Sequence, residues 1–228
     1  MNGFEQLLIE QFGEHEPKEI EELALDEFWD KKEKFTKEEK TVLERYRNLV
    51  HLSLNKIGLK SLENFPYIKN LYCLSLNDNN LNGEDFDIIN KLYPYLHKLK
   101  ICRNKIEKFE IFEKLENCGF LDKIEVKDNP FINEDNNYKE KLFNKLPKIK
   151  AIDKETRDGD EILSTDYHNE EEEYNDINDN NSKKEKGNNN DDSEENEEDN
   201  EYNEESDYEG YEDDEDEENE SDNYDDEK

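Results

Sequence analysis

The side chains of this 228-residue sequence able to do chemistry are four histidines, three cysteines and an unusual excess of carboxylates. His51 and Ser53 stand two apart in HLSLN, so on an extended segment they would leave the same face, which is the beginning of a base and nucleophile pair. No third group orients that pair and no oxyanion arrangement accompanies it, so it reads as a surface coincidence. His15, His97 and His168 lie in other segments, and no histidine joins a cysteine or carboxylate at metal-ligand spacing. The eight glycines form no phosphate-cradling loop. Runs of acid can hold divalent cations loosely, but without the ordered loop of a selective calcium site. No catalytic residue, metal or cofactor is expected, and the chemistry that remains is that of charge.

That charge is divided sharply along the chain. From Asn169 to Lys228 there are 31 Asp and Glu against 4 Lys, a net −27 of the −35 carried by the whole sequence. Ile177 is the only aliphatic side chain in that stretch. Burial therefore cannot offset the roughly 1–2 kcal/mol per residue that ordering a backbone costs, and 157–228 is expected to be a disordered acidic tail. Its densest blocks are Glu170, Glu171, Glu172 and Glu173, and then Glu212, Asp213, Asp214, Glu215, Asp216, Glu217 and Glu218. They either solubilise the protein or neutralise basic clients through screened, multivalent contacts. Tyrosines between the blocks could stack on arginine. Ser182 and Ser206 each precede a Glu by three residues, a short match to acidophilic kinase sites. A polyanion gains nothing by displacing counterions from phosphate, so direct nucleic-acid binding is disfavoured and basic proteins are the expected partners. Three cysteines without a CxxC spacing, and no leader or apolar run of spanning length, lead us to expect a reducing intracellular compartment, no membrane contact and a monomer.

The elements that must carry these groups come from a repeat. Leu49, Leu52, Leu54, Ile57 and Leu59 start a pattern that recurs as Leu71, Leu74, Leu76, Asn79, Leu81, then Leu96, Leu99, Ile101, Asn104, Ile106, then Leu121, Ile124, Val126, Asn129, Phe131. Starts are spaced 22, 25 and 25 residues, within the range of a leucine-rich repeat. Alternation within each copy turns two side chains inward on a short strand, and copies must stack to hide that dry side. The fold expected is an α/β leucine-rich-repeat solenoid with a concave parallel sheet. Partial copies at Ile20, Leu23 and Leu25 and at Ile149 and Ile152 look like end repeats. The expected organisation is a capping helix in 1–19, with Phe4, Leu7, Leu8, Gln11 and Phe12 at helical spacing, and a solenoid with its C-terminal cap in 20–156. Asn79, Asn104 and Asn129 at the ninth position are expected to turn inward and bond the backbone of the bend, whereas Ile57 leaves the first bend to be satisfied otherwise. Between Asp26 and Arg47 a charged stretch reads as an irregular loop leading to a helical turn, with Trp29 either packed on the convex side or free to meet a partner.

Outward positions then compose a candidate partner surface on the concave wall. One end carries His51, Ser53, Asn55, Ser75 and Asn77; the other carries Lys98, Lys100, Lys123 and Lys127, with Arg103 nearby. This basic stripe is either a solvated charged face or a dock for an acidic segment, the chain's own tail or a partner's.

The repeats LVHLSLNKIGL, LYCLSLNDNNL and LHKLKICRNKI, the stretch PKEIEELALD (17–26), the segment YKEKLFNKLPKIKAID (138–153) and the acidic tail together resemble the acidic leucine-rich nuclear phosphoproteins. The end segment resembles a capping motif whose structural positions fall on Tyr138, Leu146, Pro147 and Asp153. The resemblance implies a nuclear or nucleocytoplasmic, non-enzymatic adaptor that binds core histones and inhibits their acetylation, and in some members inhibits protein phosphatase 2A. Nuclear RNA-processing or export adaptors have similar caps. The tail departs from the family in its Asn and Tyr content and in lacking a strong basic cluster at its end; Lys183, Lys184 and Lys186 are a short candidate for import.

Overall fold

The computed structural model describes residues 3–29, 31–133 and 137–162. Six short strands, β1 (Glu22–Ala24), β2 (His51–Ser53), β3 (Cys73–Ser75), β4 (Lys98–Lys100), β5 (Lys123–Glu125) and β6 (Ala151–Ile152), pair in parallel in chain order. A seventh, β7 (Glu155–Thr156), turns back antiparallel on β6. The register aligns Leu23, Leu52, Leu74, Leu99, Ile124 and Ile152 in one row. This row is the centre of a core in which Leu54, Leu76, Ile101 and Val126 are fully excluded from solvent. Parallel strands cannot be joined by tight hairpins, so each coil returns along the convex side. The return is α3 (Asp87–Leu92) in the second copy and a 3-10 segment, Phe109–Leu115, in the third.

After each strand the chain must turn sharply, and Lys56, Asp78, Arg103 and Asp128, in equivalent places, all take positive φ of 52–59°. Three of the side chains at this costly left-handed position engage one another. Arg103 forms a paired contact with Asp78 (2.5 and 2.7 Å) and lies 3.8 Å from Asp128, and Lys56 reaches back to Glu27 at 3.0 Å.

At the N-terminal end, α1 (Gly3–Phe12) buries Phe4 and Leu8, leaving Leu7 and Phe12 exposed, a narrower apolar face than its sequence spacing predicts. Phe4 stacks on Trp29 with centroids 5.4 Å apart, and Phe28 and Phe35 meet Trp29 edge-on. Trp29 thus packs into the cap, with the Lys32 ammonium 4.8 Å from its ring. The charged stretch contains a full helix, α2 (Lys37–Leu43), started by a capping box in which Thr36 and Glu39 exchange backbone bonds. Glu39 is buried and its charge is met by Lys32 at 2.6 Å.

At the other end, α4 (Pro130–Asn133) leads to α5 (Tyr138–Lys145), which buries Leu142 and Phe143 and stops before Pro147. The fold runs beyond 156, where the sequence had put the start of the tail. Arg157 lies over the Phe143 ring and bonds its carbonyl, and Ile162 N–H donates to the Lys154 carbonyl. The acidic blocks 170–173 and 212–218, and Ser182 and Ser206, lie outside the described residues.

Candidate partner-binding site

Strand register sets the concave wall. Its first outward column runs Glu22, His51, Cys73, Lys98, Lys123, Ala151, and its second runs Ala24, Ser53, Ser75, Lys100, Glu125. The inward asparagines that anchor it are buried. Asn79 Oδ1 accepts from the N–H groups of Ile57, Gly58 and Leu59, while its Nδ2 donates to the carbonyls of Leu54, Leu76 and Asn77. Asn104 and Asn129 repeat this towards Leu81 and Ile106. Each asparagine therefore closes the bend of the coil before it. In the coil before Ile57, where no asparagine follows, the Leu25 carbonyl, aligned with that of Leu54, accepts from Phe28 N–H at 3.3 Å.

The polar half of the wall differs from the open surface its sequence suggests. Asp26 Oδ1 accepts from Ser53 Oγ (2.6 Å) and Asn55 N–H (2.8 Å), and Asp26 Oδ2 accepts from Asn55 Nδ2 (3.0 Å). Asn55 Oδ1 in turn accepts from Ser75 Oγ and Asn77 N–H, and Asn77 Oδ1 accepts from Cys102 N–H. Ser53, Asn55, Ser75 and Asn77 thus form a hydrogen-bonded ladder across four coils, and much of their bonding capacity is used internally. Ser53 Oγ donates to Asp26 rather than to His51, so the pair that resembled a nucleophile and base is not assembled. Asp26 is the ladder residue that sequence reasoning missed; extending the register of Leu23 and Leu25 by one residue would have placed it.

The basic half is also different in detail. Lys98 and Lys123 are buried in the wall at 6% and 4% exposure, and Lys100 and Lys127 are the more accessible pair. Arg103 does not join the stripe: its left-handed backbone and Asp78 hold it at the turn beyond the strand, and Asp78 is kept below the usual carboxylate range by the guanidinium bond. Lys98 Nζ lies 3.9 Å from Glu125 Oε1.

Beside the strands runs an aromatic column. Tyr72 lies between His51 and His97, nearly parallel to both, at 6.2 and 4.7 Å, and Phe120 meets His97 at 5.7 Å and Tyr95 at 5.2 Å. Phe120 is 49% exposed. Asp122 continues the column, 3.9 Å from His97 Nδ1 and 3.0 Å from Lys150 Nζ. Burial pushes its carboxyl pKa up, but the bonds and charges of His97 and Lys150 outweigh that and leave it lowered. The sequence signal for this column was available: Tyr72 and His97 occupy the second position of successive copies, and Tyr95 and Phe120 the residue before the first. The buried Cys102 and Cys118 thiols are pushed up to about 11, chiefly by burial, away from nucleophilic use. Among the described residues no cluster of three or more His, Cys, Asp or Glu could hold a metal ion, and no helix is long and apolar enough to cross a membrane. The wall can present charge and ring faces to a partner.

Comparison with known proteins places this geometry. The family model for the leucine-rich repeat matches residues 42–168. The acidic leucine-rich nuclear phosphoprotein 32-related protein of Plasmodium falciparum is 36% identical over 155 residues, 68% of this chain and 54% of that one. The chain thus spans about half the length of that relative. The acidic leucine-rich nuclear phosphoprotein 32-related protein 1 of Caenorhabditis elegans is 28% identical over 165 residues, covering 71% of this chain and 68% of that one. A protein of Tetrahymena thermophila named as a histone is 29% identical over 127 residues, 56% of this chain and 32% of its own.

Proposed function

Given that this chain belongs to the leucine-rich-repeat family, as one of the acidic leucine-rich nuclear phosphoprotein 32-related proteins, we propose that it is a nuclear, non-enzymatic regulator or chaperone that binds core histones or similarly basic proteins. The observation that carries this reading is the separation of charge: a net −27 concentrated in 60 residues beyond a solenoid built for surface contact. Dense carboxylates neutralise Lys- and Arg-rich surfaces and compete with DNA for them, and the solenoid contributes selectivity. Two further facts support it. The relatives are named nuclear phosphoproteins, and a similar stretch occurs in a protein named as a histone.

The test is a titration of the full chain with recombinant core histones across a salt series. Screening lengths shorten from about 8 Å at physiological ionic strength to about 3 Å at molar salt, so affinity must fall steeply. Replacing the seven carboxylates of 212–218 by their amides should weaken binding at low salt at least about tenfold, since exposed ion pairs contribute roughly 0.2–1 kcal/mol each. Histones left unbound at low ionic strength, or binding indifferent to salt and to the amide variant, would refute the proposal.

A further inference from the structure

The two halves of the concave wall differ in what they offer a ligand. Around β1–β3 the polar groups bond one another through Asp26, Asn55 and Asn77. Around β4 and β5 the outward positions carry Lys98, Lys100, Lys123 and Lys127 against Glu125, and at the adjoining edge Lys150 pairs with Asp122. This is a net positive face on a chain of charge −35, and its neighbour is the ring surface of Tyr95 and Phe120. A matching ligand is acidic and carries an occasional aromatic or aliphatic group.

The chain supplies such a ligand next to the site. The described backbone ends at Ile162, bonded to Lys154 immediately after β6, which pairs with β5. Residues 163–178 then hold six acids, Asp166, Glu170–Glu173 and Asp176, with no Lys or Arg, and also Tyr167, Tyr174 and Ile177. Strands are about 4.8 Å apart, so β4 lies roughly 10 Å from β6. Eight residues separate Ile162 from Glu170, and a chain of that length can reach at most about 26–29 Å, at roughly 3.3–3.6 Å per residue. A ligand tethered this closely meets the wall at millimolar effective concentration, so individually modest ionic contacts suffice.

We infer that residues 166–177 dock on the basic half of the concave wall, with carboxylates beside Lys100 and Lys127 and a tyrosine on the Tyr95 and Phe120 rings. This inference stands apart from histone binding, because it predicts a contact in the protein alone.

Heteronuclear NOE measurements on the full chain test it. At low salt, backbone amides of 166–177 should be more restrained than those of 200–228, and should lose that difference at 0.5 M salt. Both Lys100→Glu with Lys127→Glu, at accessible positions, and Glu→Gln at Glu170, Glu171, Glu172 and Glu173, outside the core, should release the segment. The Gln variant should also shift the amides of Tyr95, Lys100 and Phe120. A segment as mobile as 200–228 in the native chain, or equally restrained in both variants, overturns the inference. A synthetic 164–178 peptide that binds the wall while the native segment stays mobile also overturns it, since the occupant is then another molecule. Loss of histone binding with the restraint intact leaves it standing and rejects only the proposed function.

Discussion

Replacing Asn79 by Ala removes one side chain but unpairs several backbone groups. Its Oδ1 alone receives the N–H groups of Ile57, Gly58 and Leu59 at 3.2, 2.9 and 3.0 Å, and its Nδ2 serves the Leu54 carbonyl at 2.8 Å. The Leu76 carbonyl keeps a second donor in Asn104, at 2.9 Å, so it is not counted as lost. Four groups thus lose the partner described for them. At about 1 kcal/mol each, the lower end of the cost of a buried unpaired group, the variant should lose about 4 kcal/mol. That is a large share of the roughly 5–15 kcal/mol available to a domain. The assay is urea unfolding followed by circular dichroism, where a slope of about 2 kcal/mol/M converts the loss to a midpoint shift of about 2 M. Asn104 and Asn129, whose Oδ1 atoms each accept one N–H, from Leu81 and Ile106, should cost less on the same substitution. A loss below about 1 kcal/mol at Asn79, or a larger loss at Asn129, would refute the reasoning that bends are held by the asparagine of the next coil.

The C-terminal cap gives a graded test: Tyr138→Phe removes the 2.7 Å bond to Asp153 Oδ2 and should cost about 1 kcal/mol, whereas Asp153→Ala also strips Oδ1 from Val126 and Lys127 N–H and should cost more, with faster amide exchange at those two residues. Asp78, whose carboxyl pKa in the folded chain is held below its ordinary value of 3.8 by Arg103, contributes stability that is complete above that value and lost as pH falls through the lower folded one. The stability difference between wild type and Asp78→Asn should therefore stay level at neutral pH and shrink below about pH 4, and because the pair is partly exposed it should not exceed about 1 kcal/mol. Thiol reagents at pH 7 should leave Cys102 and Cys118 unmodified in the folded protein and react with both in denaturant; prompt native labelling at either would contradict their burial and their thiols being pushed up to about 11.

Some of this molecule is written in short-range spacing and some is not. The solenoid, its concave parallel sheet and its end repeats are legible because the dry side of each coil is set by alternation within eleven residues, which no other packing satisfies as well. The ninth-position asparagines are legible for the same reason, since a sharp bend needs its backbone groups bonded within the coil or by its neighbour. Which outward residues are available to a partner was decided by contacts across strands, between residues 20 to 30 apart in sequence. Ser53, Asn55, Ser75 and Asn77 look like an open polar face until Asp26, arriving from the end repeat, starts a ladder through them. Arg103 looks like part of a basic stripe until its turn geometry sets it against Asp78, 25 residues away. The rings of Tyr72, His97 and Phe120 become one surface only when successive coils stack at strand spacing. Period fixes which side chains face inward. Neighbouring coils decide which outward groups are already engaged, because hydrogen-bonding capacity and charge are taken up between coils.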